Sequence, residues 1–186
     1  MKIVLVHGFN VKDGGANTVD KLAPFLIKAG HYVEIDEADY GYYKLAAVRL
    51  RKHSAVLRIA KALENADVVV SHSNGANFVN KALKLLAHRD RKYQEVRLSP
   101  AINRSTAAAD NVTRCVVFHT LTDFWVWVSG FLIFHPWGRQ GQKGYKGDDL
   151  RMHNWDMTDV VKKHSDYFTD ENAEFIAKEV LNALEQ

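Results

Sequence analysis

Hydrophobic and polar positions along the chain follow two alternating patterns. Short apolar runs, such as residues 2–6 and 67–70, are typical of strands that are buried on both faces. Longer segments lie between them, and their apolar residues recur every three or four positions, which indicates amphipathic helices. The predicted strands are residues 2–6, 31–37, 67–70, 95–99 and 113–120, and the predicted helices are residues 17–30, 44–64, 75–88 and 171–186.

This alternation of strands and helices predicts the fold class. We expect an α/β protein with a mostly parallel central sheet and helices on both faces. Because no internal repeat or Pro- and Ser-rich linker interrupts the pattern, residues 1–186 are expected to form a single domain. Ligands of such sheets bind at the carboxyl ends of the strands, so candidate functional residues are sought directly after each predicted strand.

Composition and charge exclude several classes of function. The formal net charge is only +3, and the basic runs at 49–58 and 84–92 coincide with helical patterns, so we interpret them as solvated faces and expect no nucleic-acid partner. No apolar run reaches the roughly 18 residues that a transmembrane helix needs. The single cysteine, Cys115, has no internal disulfide partner. We therefore expect a cytoplasmic protein without a transmembrane segment.

The sharpest local signal is residues 71–75, SHSNG, where a buried strand gives way directly to a helical pattern. A tight strand-to-helix turn projects a nucleophile such as Ser73 and aims the first helical N–H groups at a developing oxyanion. The turn needs small residues two positions to either side. Gly75 meets this need, whereas Ser71 stands where glycine is usual. The alternative is a serine-rich turn that only caps the helix.

Three further positions add to this signal. The loop at 7–10, HGFN, can bring the Phe9 N–H to the same oxyanion as the Asn74 N–H. Asp123 follows a predicted strand, where it either orients a histidine or caps the next helix. His164 lies in the loop before the last helix.

Other histidines compete with His164 for the role of base. His119 and His135 are rivals, and His153 is the stronger one because it also follows Asp123 in the chain. The order Ser73, Asp123, His164 is nevertheless the chain order of nucleophile, acid and base in one hydrolase fold.

The segments 7–10, 71–76, 122–123 and 164–168 together resemble those of the α/β-hydrolase superfamily. The chain is most similar to its small serine hydrolases without a cap, which carry a G-H-S-x-G elbow. The resemblance implies a Ser73 nucleophile, a His164 base and an Asp123 acid, with the backbone N–H groups of Phe9 and Asn74 as the oxyanion hole. It implies a carboxylesterase or lipase-like enzyme that acts on a small-molecule acyl substrate.

No metal or other cofactor is expected, because the histidines show no H-x-x-x-H or cysteine-assisted ligand spacing. Two alternatives to the hydrolase remain open. One is a non-catalytic α/β-hydrolase-like binding module, in which Ser71 marks an inactive elbow. The other is a nucleotide-binding α/β protein, although the loop after residues 2–6 lacks both G-x-G-x-x-G and G-x-x-x-x-G-K-[ST].

Two segments after Asp123 bear on the substrate pocket. We interpret the aromatic segment 124–138 as core packing of one helix, ahead of an apolar wall for acyl chains. The glycine-rich segment 138–149 is expected to be a mobile or exposed loop. Because no large insertion separates a strand from its helix, we expect no lid. These patterns do not determine the acyl chain length, the leaving group or the oligomeric state.

Overall fold

Six strands form one parallel sheet in the computed structural model, which describes residues 1–9, 11–35, 38–41, 48–129 and 137–185. The sheet order is β2-β1-β3-β4-β5-β6, and every neighbouring pair is parallel. This confirms the predicted fold class. The strands are β1 (Lys2–Val6), β2 (Tyr32–Glu34), β3 (Val68–His72), β4 (Tyr93–Leu98), β5 (Val112–His119) and β6 (Met152–Asp156).

Helices cover both faces of this sheet. The helices are α1 (Ala23–Lys28), α2 (Val48–Leu63), α3 (Gly75–Leu85), α4 (Phe124–Ser129), α5 (Gln140–Lys143) and α6 (Ala173–Glu185). One apolar core lies between the sheet and helices α2 and α3, and the other lies between the sheet and helices α1 and α6. Val69 belongs to the first core, while Val68 and Val70 belong to the second. A strand buried on both faces needs apolar residues at successive positions, which explains the continuous run.

The sixth strand is absent from the sequence prediction. Strand β6 lies at the edge of the sheet, and of its five residues Met152 is buried, while Asn154 and Asp156 are exposed. Such a short, mostly polar stretch lacks the apolar run that marks the central strands.

Other boundaries differ from the prediction for local reasons. The predicted helix 17–30 is a 3₁₀ turn at Val19–Leu22 followed by α1, which has proline in its first turn. Proline lacks a backbone N–H and suits the start of a helix, so α1 begins there. The predicted strand 31–37 and helix 44–64 extend into residues 36–37 and 44–47, which lie outside the described residues.

A buried ion pair attaches the loop after β4 to helix α5. The Arg97 guanidinium binds the Glu95 carboxylate through two hydrogen bonds of 2.8 and 2.9 Å, and both side chains are fully buried. Arg97 Nη1 also donates to the Thr106 carbonyl at 3.2 Å and to Gln140 Oε1 at 3.1 Å. Gln140 and the following Gly141 are buried. The expectation of an exposed loop over 138–149 is therefore wrong for this part.

No helix in the described ranges combines the length and the apolar character that crossing a membrane requires.

Candidate active site

Ser73 occupies a strained turn between strand β3 and helix α3. Its φ is +53°, in the left-handed region that residues other than glycine rarely adopt. The Ser73 N–H donates to the Leu98 carbonyl at 3.0 Å, and the Ser73 carbonyl accepts from the Ala101 N–H at 3.1 Å. These bonds hold the turn from the end of β4. Strain of this kind costs about 1–3 kcal/mol and is typical of a nucleophile elbow.

The small residues beside Ser73 meet different requirements. A Cβ on Gly75 would lie 2.5 Å from the His7 carbonyl oxygen, so only glycine fits there. Ser71 is fully buried, and its hydroxyl donates to the Val96 carbonyl of the neighbouring strand at 3.4 Å. The turn therefore forms with serine in place of the usual glycine at position 71.

Replacing Gly75 by alanine is expected to destabilise the elbow. The added methyl group must displace the backbone of residue 7, so we expect Gly75→Ala to lower the free energy of unfolding by about 3 kcal/mol. Denaturant titration measures this loss. Gly30→Ala is the reference for backbone strain alone: no atom lies within 4 Å of the methyl group it adds, but its φ of +87° disfavours alanine, so it should lose only about 1–2 kcal/mol. An unfolding free energy of Gly75→Ala equal to that of the wild type would contradict the tight contact.

Asp123 and His164 lie in direct contact. Asp123 is fully buried after strand β5, and its Oδ2 atom is 2.7 Å from His164 Nδ1. A carboxylate only accepts, so Nδ1 carries the proton and Nε2 keeps the lone pair that a general base needs. Burial acts to raise the pKa of the Asp123 carboxyl, but hydrogen bonds from His164 and Ser99 outweigh it and the pKa is lowered. The acid therefore stays ionised.

Ser99 is a site residue that the sequence analysis missed. It follows strand β4 with a φ of +43°, and its buried hydroxyl donates to Asp123 Oδ2. The Val126 N–H donates to Asp123 Oδ1 at 3.0 Å, so Asp123 also caps helix α4. Both sequence interpretations of Asp123 thus apply at once. The signal for Ser99 was its position at the end of a predicted strand.

His72 connects the elbow to the His164 loop. The His72 ring lies 4.6 Å from the His164 ring, and its Nε2 is 3.2 Å from the His164 carbonyl oxygen. Burial lowers the pKa of the His72 imidazole well below its usual value, so the ring is neutral and donates this bond through Nε2. The loop that carries His164 is therefore held against the residue before Ser73.

Ser73 and His164 do not form a hydrogen bond within the part of the chain that the structure describes. Of the three predicted residues, the structure thus joins Asp123 to His164 directly and brings Ser73 near them through His72. Contacts between a nucleophile and its base are often long or poorly aligned before substrate binds.

The two candidate oxyanion amides have no acceptor among the described residues. Neither the Phe9 nor the Asn74 N–H donates to a described backbone or side-chain oxygen. Asn74 stands directly before α3, where the helix dipole is positive. Trp137 donates its indole N–H to Asn74 Oδ1 at 2.6 Å, and its ring lies 6.2 Å from the Phe9 ring. An aromatic pair therefore lies beside these amides. Asn10, the last residue of the predicted loop, lies outside the described residues.

Neither His119 nor His153 forms a hydrogen bond with Asp123 in the part of the chain that the structure describes. His153 pairs with Val116 in the sheet, and its Nε2 is 3.4 Å from Arg114 Nη1. His119 ends strand β5. Burial lowers the pKa of its imidazole, although the charge of Asp156 acts to raise it. His135 lies outside the described residues.

Helix α4 departs from the expectation of core packing. Phe124 and Trp125 are 60% and 65% exposed, whereas Val126 is buried. The core-packing interpretation is therefore wrong for these two aromatic residues, which follow Asp123 directly. Residues 130–136 of the same aromatic segment lie outside the described residues. The exposed rings give the region beside Asp123 an apolar surface.

Comparisons of the sequence with known proteins find no relative. No protein-family model matches the chain, and no curated protein matches its sequence.

Solved structures do match. A pyrethroid hydrolase from Sphingobium faniae JZ-2 is 12% identical with a TM-score of 0.62, over 98% of this chain and 96% of that chain. An extracellular α/β-hydrolase from a Paenibacillus species is 10% identical with a TM-score of 0.62, over 98% of both chains. A monoacylglycerol lipase from Paleococcus ferrophilus is 12% identical with a TM-score of 0.56, over 97% of this chain and 92% of that chain. The chain has the α/β-hydrolase fold.

Proposed function

We propose that this protein is a serine hydrolase that cleaves carboxylic ester or related acyl bonds through an acyl-enzyme intermediate. The observation that carries the proposal is the 2.7 Å hydrogen bond between Asp123 and His164 beside the strained turn of Ser73. A buried acid that orients a histidine, next to a serine on a tight turn, is the arrangement that activates a serine hydroxyl. The fold supports the proposal, since structural neighbours include a pyrethroid hydrolase and a monoacylglycerol lipase.

In the proposed acylation step, His164 Nε2 accepts the Ser73 hydroxyl proton as Ser73 Oγ attacks the substrate carbonyl carbon. The carbonyl oxygen becomes an oxyanion, which the Phe9 and Asn74 N–H groups bind. The imidazolium is stabilised by Asp123, whose lowered pKa keeps it ionised. His164 then protonates the leaving group, which departs as an alcohol.

In the proposed deacylation step, water replaces the alcohol. His164 Nε2 takes a proton from water, and the resulting hydroxide equivalent attacks the Ser73 ester. The second oxyanion occupies the same pair of amides. Collapse returns the proton from His164 to Ser73 Oγ and releases a carboxylic acid, so the protein regains its starting state.

The surroundings of the proposed site favour an apolar acyl group. Phe9 and Trp137 flank the two amides, and Phe124 and Trp125 expose apolar surface beside Asp123. Among the described residues, the Asp123 carboxylate forms hydrogen bonds with His164, with Ser99 and with the backbone N–H of Val126. No lysine or arginine side chain is among these partners. We therefore propose uncharged esters with an apolar acyl chain as the substrate class.

We also propose a cytoplasmic location and a single domain over residues 1–186. Cys115 is a free, fully buried thiol in strand β5. Burial raises the pKa of this thiol well above its usual value, which disfavours the reactive thiolate. An unpaired cysteine of this kind fits a reducing compartment.

A series of p-nitrophenyl esters tests the proposed function. We expect saturable hydrolysis at neutral pH, with kcat/KM rising from acetate to octanoate by up to about fourfold for each methylene group that becomes buried. The release of p-nitrophenolate measures the rate. A folded protein that hydrolyses none of these esters would favour the non-catalytic binding module.

A further inference from the structure

Both ring nitrogens of His7 face oxygen acceptors. Nδ1 lies 2.8 Å from the Gly8 carbonyl oxygen, and Nε2 lies 3.0 Å from Asp39 Oδ1. A carbonyl oxygen and a carboxylate only accept hydrogen bonds, so in each of these contacts the ring nitrogen is the donor. The His7 side chain is only 2% exposed, and these contacts hold its ring in place.

Asp39 and Tyr40 hold the His7 ring. The Gly41 N–H also donates to Asp39 Oδ1 at 2.7 Å, which identifies this oxygen as an acceptor. Burial acts to raise the pKa of the Asp39 carboxyl, but the bonds from Gly41 and His7 lower it overall, as expected for an ionised partner. The Tyr40 ring stacks on the His7 ring with centroids 4.2 Å apart, which limits the rotation of the imidazole.

The His7 and Tyr40 side chains both hold the peptide group between Gly8 and Phe9. The Tyr40 hydroxyl donates to the Gly8 carbonyl oxygen at 2.6 Å, and the His7 carbonyl oxygen lies farther from it, at 3.0 Å. The Gly8 oxygen therefore faces donors from both Tyr40 and His7. The Gly8 carbonyl and the Phe9 N–H belong to one planar trans peptide, in which the N–H points away from the oxygen. Fixing the carbonyl therefore fixes the direction of the N–H. Donation to the carbonyl also polarises the peptide and strengthens its N–H as a donor.

This peptide lies against the candidate nucleophile. A Cβ on Gly8 would lie 3.0 Å from both Ser73 Cβ and His72 Nδ1, so glycine allows the backbone to approach the elbow. We propose that the His7 ring and the Tyr40 hydroxyl, with Asp39 holding the His7 ring, are positioning groups that aim the Phe9 N–H at the oxyanion. The inference rests on the proposed function and extends its oxyanion hole to residues 39 and 40.

A matched pair of tyrosine variants tests the positioning role. Tyr40→Phe keeps the ring stacked on His7 and removes one donor to Gly8, so kcat should fall about tenfold with KM unchanged. Tyr93→Phe is the control, because Tyr93 is buried and its hydroxyl has no hydrogen-bond partner among the described residues. It should keep the wild-type kcat. A wild-type kcat in Tyr40→Phe, or a change in KM alone, would overturn the inference.

A second readout does not depend on turnover. In ¹⁵N-labelled protein, Tyr40→Phe should shift the resonance of the Phe9 backbone amide, because the hydroxyl that it removes donates to the carbonyl of the same peptide. Tyr93→Phe should leave this resonance unchanged. An unchanged Phe9 amide in Tyr40→Phe would overturn the inference. If ester hydrolysis is absent while the shift is present, the proposed function fails and the role of Tyr40 in holding the Gly8–Phe9 peptide stands.

Discussion

Ser73→Ala is expected to reduce kcat for ester hydrolysis on the order of 10⁴-fold or more. The variant removes the atom that forms the covalent intermediate in the proposed mechanism. The strained backbone of the turn is held by bonds to Leu98 and Ala101 that alanine keeps. The fold should therefore survive. Steady-state kinetics on p-nitrophenyl butyrate, together with thermal unfolding of the same samples, measures both quantities.

Ser71→Ala is the matched control for this experiment. It removes a buried hydroxyl two residues away whose bond to Val96 is long, at 3.4 Å. We expect kcat within about threefold of the wild type, because a net loss of roughly 0.5 kcal/mol is all that such a bond supplies. If Ser73→Ala kept wild-type turnover, the nucleophile would be a different group.

His164→Ala is expected to cause a loss of the same order, about 10⁴-fold or more in kcat. In the proposed mechanism the imidazole accepts the Ser73 proton, so the variant removes the base, and Asp123 loses the partner that lies 2.7 Å from it. Rates with p-nitrophenyl butyrate across neutral and alkaline pH measure the effect. A rise in the residual rate at high pH is expected, because hydroxide then replaces the missing base.

His153→Ala is the control for the choice of base. His153 lies in strand β6 and contacts Arg114, so its removal should leave most of the turnover. The reverse result, with His153→Ala inactive and His164→Ala active, would contradict the assignment of the base. Circular dichroism of both variants shows that any difference in rate does not come from unfolding.

Site residues that directly follow a predicted strand could be located from the sequence. Ser73 and Asp123 each follow an apolar run, and the carboxyl ends of parallel strands meet at one edge of a sheet. His164 lies in the loop that follows β6 at the same edge. Because β6 was not predicted, it was the chain order of acid and base in α/β-hydrolases that indicated the contact between Asp123 and His164, which are 41 residues apart.

Other site residues depend on contacts that no local pattern records. Ser99 reaches Asp123 across 24 residues of sequence, and Tyr40 reaches Gly8 across 32. A lone serine after a strand, or a tyrosine in a connecting segment, has too many possible neighbours for its partner to be inferred. Strand β6 was missed for a related reason, since an edge strand needs apolar residues on one face only and MHNWD supplies few.

The aromatic residues after Asp123 show a different kind of failure. A run rich in phenylalanine and tryptophan usually indicates a core, yet Phe124 and Trp125 are exposed at the edge where the strands end. Exposed apolar surface is typical of binding rather than of core packing. An aromatic run that forms a binding surface has the same sequence pattern as one that packs in a core. Only the burial of each side chain separates them.

The central claim is that the Ser73 hydroxyl is an activated nucleophile. Incubating the folded protein with a fluorophosphonate at neutral pH and mapping the adduct by peptide mass spectrometry tests it directly. The account predicts one adduct per chain, on Ser73, and none after heat denaturation. An unmodified Ser73 in the folded protein, or an adduct on another residue, would contradict it.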